Sequence, residues 1–133
     1  TVLSRGLGDV YKRQGDGGIQ MTIQELGTIF QTQAAVKVVV LNNEFLGMVR
    51  QWQQLFFDKR YASTELINPD FVKIAEGYYI NSKRVSKRKE LRKSVEEMIK
   101  SEKPFFLEVC VEKEDNVFPM IPSGASVSDI RLS

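Results

Sequence analysis

The stretch "VVVLNNEFLGMVRQW", residues 38–52, decides the fold. It opens inside a continuous β-branched apolar run, "VKVVVL" at 36–41, of the kind that forms a parallel strand covered on both faces. The run stops at Asn42 and Asn43, two residues whose amides need partners. From residue 47 to 57, Met48, Val49, Trp52, Leu55 and Phe56 then recur at helical spacing. Strand, polar turn and helix in that order predict an α/β unit with its polar turn at the carboxyl end of a strand, where open α/β sheets bind ligands.

The same alternation continues on either side. Upstream, "GDGG" at 15–18 predicts a turn, and Ile19 to Gln31 reads as a helix with Ile19, Ile23, Leu26 and Phe30 on its buried stripe. Downstream, "NPDFVKIAEGY" predicts a helix capped by Asn68, with Pro69 in its first turn, Asp70 near the positive end of the dipole, and Gly77 at its end. "YYINSKRV" reads as a short strand, and residues 87–100 as a helix with Leu91, Val95, Met98 and Ile99 on one face. Pro104 stops that helix, and "FFLEVCV" at 105–111 predicts a second buried strand. The fold class is therefore α/β, a parallel sheet flanked by helices. The tail "NVFPMIPSGASVSDIRLS" predicts irregular structure lying over the domain or a neighbour.

Residues 1–14, "TVLSRGLGDVYKRQ", do not share this pattern: two close glycines, a basic end and no apolar period predict a loop. They resemble a translated sequencing adapter, so residues 1–14 are expected to be an unrelated leader and residues 15–133 the domain proper.

Composition sets outer limits. The 133 residues suit a single core, and 42% apolar with 27% charged residues is ordinary for a globular domain. No apolar run approaches the roughly 20 residues of a membrane span. There is no histidine and only one cysteine, Cys110. Within this chain that excludes a Ser-His-Asp triad, a Cys-His pair, a histidine-ligated zinc and a thiolate cluster, and it points to a reducing compartment. Chemistry must rest on carboxylates, amides or a cofactor. The net charge of +2 argues for neither a nucleic-acid nor a membrane partner. The basic cluster Lys83, Arg84, Lys87, Arg88, Lys89, Arg92 and Lys93 surrounds a helix whose other face is apolar and lacks interleaved aromatics, as a solvated face does.

Two polar turns remain, and they have the residue types of a metal-bridged phosphate site. Magnesium prefers oxygen ligands and commonly takes one or two carboxylates together with substrate phosphates. Asp16 offers a carboxylate and Asn43 a side-chain carbonyl. The glycines beside Asp16 permit close backbone approach, and a following helix directs its positive end at an anion. A dinucleotide fingerprint fails because its third glycine would fall at Gln20, and no Walker-type G-x-x-x-x-G-K-[ST] occurs. Taken alone, Gly-Asp-Gly and paired asparagines also serve as plain turn formers.

"GDG", residues 18–41 and "NN" together resemble the diphosphate and magnesium motif of thiamine-diphosphate enzymes. Further, "GDGGIQMTIQELGT", "LNNEFLGMVRQWQQLFFDKRY", "STELINPDFVKIAEGY" and "PFFLEVCVEKEDNVFPMIPSGAS" resemble the C-terminal cofactor domain of the acetolactate synthase catalytic subunits, from Gly15 to Leu132. The resemblance implies a thiamine-diphosphate-binding fold. It implies magnesium held by Asp16, the Asn43 side chain and the Phe45 backbone carbonyl, and cofactor contacts at Gly17, Gly18, Gly47 and Met48. Met48, Val49 and Trp52 would line the substrate channel, with Trp52 favouring 2-ketobutyrate as second substrate, and Ser123 would be a herbicide-contact position. Spacing alone reads Met48 and Trp52 as helix packing.

The implied reaction joins pyruvate to a second 2-ketoacid, giving acetolactate or acetohydroxybutyrate. In the family the glutamate that activates the cofactor comes from a partner subunit and FAD binds a middle domain, so no catalytic residue is assigned here and the chain alone is expected to be inactive. Catalytic subunits associate as dimers or larger assemblies with a small regulatory subunit. Such an enzyme is expected in a bacterial cytoplasm or a eukaryotic organelle. Two departures from the family pattern stand out: "DVYKRQ" stands where the family has a hydrophobic strand before Gly15, so the strand that aims Asp16 is expected to be missing or poorly formed, and Tyr79 replaces a small residue. The rival readings are another thiamine-dependent 2-ketoacid decarboxylase or oxidase, and a non-enzymatic α/β binding module.

Overall fold

The computed structural model describes residues 11–132. Four strands, β1 (Tyr11–Gly15), β2 (Lys37–Asn42), β3 (Asn81–Val85) and β4 (Phe105–Cys110), form one parallel sheet in the order β1-β2-β4-β3. Five α-helices connect them: α1 (Asp16–Gln20), α2 (Glu25–Thr32), α3 (Gly47–Phe56), α4 (Phe71–Gly77) and α5 (Arg88–Lys100). The α/β class, β2 and β4 are as the sequence predicts.

Strand alternation divides the apolar residues between the two faces of the sheet. On one face Val38, Val40 and Phe106 pack with Ile19, Leu26, Phe71, Ala75 and Ile80 from the segments around α1, α2 and α4. On the other, Phe105 and Leu107 pack with Val85 and Met98, where α5 covers the β3–β4 half. This is why "VKVVVL" and "FFLEVC" read as apolar runs, each broken by one buried charge, Lys37 and Glu108, rather than as alternating ones. Ile99, expected on the buried stripe of α5, is 47% exposed, while Met98 one residue earlier is buried.

Several expectations are corrected. Residues 11–14 are not loop: "YKRQG" forms β1, in register with Lys37–Leu41. It is an edge strand among the described residues, and parallel backbone bonds to β2 hold it despite its polar composition. The rest of the expected leader, residues 1–10, lies outside the described residues. The helix predicted over Ile19–Gln31 is two helices. Between them the chain stays wound through bonds from Thr22, Glu25 and Leu26 N–H to carbonyls three residues back, a tighter 3₁₀-like stretch that redirects it. Ile19 and Leu26 still reach the core, but Phe30 lies at the surface against Tyr79, ring centroids 5.1 Å apart.

Asn68 does not cap α4. The cap is Asp70, whose Oδ1 accepts the Lys73 N–H, so Pro69 precedes the helix. Tyr79 has φ of +58°, a left-handed conformation that a bulky side chain adopts at a cost. The tail does lie over its own domain. The buried Gln51 of α3 exchanges two hydrogen bonds with the Val117 backbone, and Arg50 donates to the Asn116 side chain and the Glu114 carbonyl.

Candidate functional site

Parallel strands send their successor turns to one edge of the sheet, and two of those turns meet there. "GDGG" is not the turn expected from the sequence: Gly15 ends β1 and Asp16, Gly17 and Gly18 already belong to α1, so strand passes directly into helix, whereas β2 runs into Asn43 and then α3. Between them opens a cleft of about 550 Å3 lined by Gly15, Asp16, Gly17, Gly18, Asn43, Phe45, Leu46, Gly47, Met48 and Val49. The segment after β4 closes it with Val111, Glu112, Asp115 and Val117. All seven residues singled out for cofactor or metal contact thus share one cleft.

The turn geometry follows from the side chains. Asn43 Oδ1 accepts the Phe45 N–H in an Asx turn, bending the chain toward α3. Phe45 forms an isolated bridge with Glu65 in which Leu46 N–H donates to Thr64 and Leu66 N–H donates to the Glu44 carbonyl, leaving the Phe45 carbonyl out of the bridge. Two glycines sit at close approaches: a Cβ at Gly17 would lie 2.8 Å from Leu46 Cδ2, displacing that side chain, and one at Gly47 would lie 3.1 Å from Asn43 Nδ2.

These residues fit a divalent cation with a diphosphate. Asp16 is only 1% exposed, the other two candidate ligands are neutral oxygens, and all three are hard donors. Among the described residues no three His, Cys, Asp or Glu side chains cluster, so a cation here would need ligand oxygens to complete its shell. No side chain caps α3, and its first residues Gly47, Met48 and Val49 line the cleft, so the positive end of the helix adjoins it with first-turn N–H groups that lack a side-chain cap.

The predicted substrate positions divide. Met48 and Val49 line the cleft and are about half exposed. Trp52 does not line it: its ring lies tilted against Phe56, centroids 4.9 Å apart, and borders an adjoining groove with Val49, Gln53, Phe57 and Arg60. Val49 belongs to both. Ser123 is exposed in the tail and lines neither.

Behind the cleft lies a polar chain that sequence reasoning missed. Asn68 Nδ2 donates to Asp16 Oδ2 at 2.7 Å and to Asn42 Oδ1 at 3.0 Å, while Gln20 Nε2 donates to Asn68 Oδ1 at 2.9 Å. Asn42 Nδ2 donates to Glu108 Oε1 at 2.7 Å. Arg84, beside Glu108 in the β3–β4 register, donates to Glu108 Oε2 at 2.7 Å and to Asp70 Oδ1 at 2.8 Å. The hydrogen bond and charge of Glu108, with Asp70 adding to them, push the Arg84 guanidinium above its ordinary value. Burial, then the charge of Glu108, pushes the nearby Cys110 thiol up. The one available signal was the lone Glu108 in "FFLEVC", since a charge in a buried strand requires partners.

A parallel α/β domain that gathers a Gly-Asp-Gly strand–helix junction and an uncapped helix start around a cleft at its strand ends is of the class that holds a phosphate-bearing cofactor. The family model for the thiamine pyrophosphate enzyme C-terminal TPP binding domain matches residues 4–109, and the chain belongs to that family. It is 42% identical over 117 residues to the acetolactate synthase isozyme 2 large subunit of Escherichia coli (strain K12), covering 87% of this chain and 21% of that protein. It is 41% identical to the mitochondrial acetolactate synthase catalytic subunit of Saccharomyces cerevisiae (86% and 17%) and 44% identical to a probable chloroplastic acetolactate synthase 2 of Oryza sativa subsp. japonica (87% and 19%). The chain thus spans about a fifth of the length of these relatives. Among solved structures it is similar to benzoylformate decarboxylase from Polynucleobacter necessarius, with TM-score 0.75 and 25% identity over 83% of this chain and 21% of that one. The relatives include bacterial, mitochondrial and chloroplastic proteins, and no helix among the described residues is long and apolar enough to cross a membrane.

Proposed function

We propose that this chain is the thiamine-diphosphate-binding part of an acetolactate synthase catalytic subunit, working in branched-chain amino-acid biosynthesis. The observation that carries the reading is the convergence of Asp16–Gly18 and Asn43–Val49 on one cleft, in a chain 42% identical to an acetolactate synthase large subunit. Identity to the synthases well above the 25% shared with the decarboxylase favours the condensing reaction over simple decarboxylation.

In this reading Asp16, the Asn43 side chain and the Phe45 carbonyl hold magnesium, and the backbone of Gly17, Gly18, Gly47 and Met48 lies against the diphosphate. Thiamine diphosphate, when bound, supplies the electron sink for decarboxylating a 2-ketoacid. The chain's own residues bind and orient: the first-turn N–H groups of α3 neutralise negative charge, and Met48 and Val49 give the cleft an apolar wall that excludes water. Trp52, on the groove that shares Val49, is placed to influence which second 2-ketoacid is accepted. FAD, a partner catalytic subunit and a small regulatory subunit belong to the intact enzyme, in a bacterial cytoplasm or a eukaryotic organelle.

The test is a chimera in which Gly15–Leu132 replaces the matching segment of the Escherichia coli relative. Formation of acetolactate from pyruvate, and of acetohydroxybutyrate when 2-ketobutyrate is added, is expected, with both abolished by Asp16→Ala. A folded chimera that releases only acetaldehyde and carbon dioxide would assign the chain to a decarboxylase instead.

A further inference from the structure

Asn42 and Asn43 are adjacent, yet the fold gives them different work. Asn43 faces the cleft, whereas Asn42 is 9% exposed and turned back into the protein, accepting the Glu44 N–H at 3.1 Å and the Asn68 amide and donating to Glu108. Asn68 stands between Asn42 and Asp16. Both of its amide hydrogens are used, one on each residue, and its oxygen accepts from Gln20. A flipped amide would turn its oxygen toward the Asp16 carboxylate and its hydrogens toward Gln20 Nε2, so the amide has one allowed orientation.

We propose that Asn68 is the positioning residue for the cation site: it fixes the rotation of the Asp16 carboxylate by holding Oδ2. Asn42 and Glu108 anchor Asn68 in turn, and Arg84 and Asp70 extend that anchor to the surface. The inference rests on the cofactor-site reading above. The physical reason is geometric. Asp16 lies in the first turn of a five-residue helix on an edge strand, with little local structure to define its side-chain angle. Magnesium accepts only near-octahedral ligands, whereas calcium tolerates a range, so a carboxylate free to rotate would cost magnesium more than calcium. Partners that orient a ligating group typically carry 10–100-fold in metal affinity.

The experiment is calorimetric titration of the full chain with Mg2+ and, separately, with Ca2+ at saturating thiamine diphosphate, for the parent protein, Asp16→Ala, Asn68→Ala and Gln20→Ala. Circular dichroism confirms that each variant is folded at the temperature used. Asp16→Ala is expected to abolish binding of both ions. Asn68→Ala is expected to weaken Mg2+ by at least about tenfold and Ca2+ clearly less. Gln20→Ala removes, from an exposed side chain, the 2.9 Å bond that fixes the Asn68 amide, together with a long 3.5 Å bond to the Asp16 backbone carbonyl that leaves the carboxylate untouched, and is expected to weaken Mg2+ about two- to fivefold. If the parent binds and Asn68→Ala and Gln20→Ala bind Mg2+ as tightly, the positioning role is overturned while the cofactor site stands. Equal losses for both ions would show a merely structural role and also overturn it. A parent that binds neither ion overturns the site reading and this inference together. Should Asn68→Ala not fold, Gln20→Ala and the Mg2+/Ca2+ ratio decide.

Discussion

Replacing Arg84 by methionine tests how the polar chain behind the cleft is held together. The substitution keeps an apolar stem and removes the guanidinium from Glu108, which is 1% exposed and would retain the Asn42 amide as its side-chain hydrogen-bond partner among the described residues. A charge-assisted hydrogen bond contributes about 1.5–3 kcal/mol, and stranding a fully buried carboxylate costs about 3–5 kcal/mol. The Arg84 side chain is 43% exposed, so water can enter where the guanidinium was, and the low end applies: about 2 kcal/mol. At about 2.1 cal/mol/K per residue, 133 residues unfold with an entropy near 0.28 kcal/mol/K, so Tm should fall by about 7 °C. The assay is thermal unfolding by circular dichroism or calorimetry at neutral pH. Adding Glu108→Gln to Arg84→Met should recover about half the loss, because it removes the stranded charge while leaving an acceptor for Asn42. A Tm unchanged within about 2 °C, or a double variant less stable than Arg84→Met, would refute the reasoning.

Three further outcomes follow from particular residues. Partial desolvation raises the Asp70 carboxyl, but the Lys73 N–H and the Arg84 charge outweigh it and hold Asp70 below its ordinary 3.8. A lowered folded pKa gives stability that is present above 3.8 and lost as pH falls through the folded value, so Asp70→Asn should flatten the acid limb of the Tm–pH curve below about pH 4 and leave its slope at pH 7 unchanged. Gln14 Oε1 is buried with no hydrogen-bond partner among the described residues, so Gln14→Leu should raise Tm by about 3–4 °C, about 1 kcal/mol; a lowered Tm would mean the amide has a partner. The purified chain alone should form no acetolactate from pyruvate above a blank, and product that disappears in Asp16→Ala would contradict this.

How much of this was legible in the sequence depended on whether a signal was local. β2 and β4 announce themselves because burial on both faces demands nearly continuous apolar runs, and α5 because its apolar face repeats at helical spacing. "YKRQG" gave no such sign: an edge strand can be polar, and β1 exists through its register with β2. The break between α1 and α2 was hidden because Ile19, Ile23 and Leu26 keep helical spacing through the 3₁₀-like turn. The cleft residues were readable, since glycines, a carboxylate and an amide must sit in turns after strands. Asn68 was not, because its local context offers a helix cap, while its actual partners are 52 and 26 residues away. Local preference lost there to three tertiary hydrogen bonds.

The measurement that tests the central claim most directly is a crystal of the chain grown with thiamine diphosphate and Mn2+, with anomalous scattering used to locate the metal. The account predicts one peak in the cleft, within coordination distance of the Asp16 carboxylate, Asn43 Oδ1 and the Phe45 carbonyl, with diphosphate density against Gly17, Gly18 and the first turn of α3. A peak instead in the neighbouring groove lined by Asn68, Asp70 and Glu108, or diphosphate bound with no metal at Asp16, would contradict it.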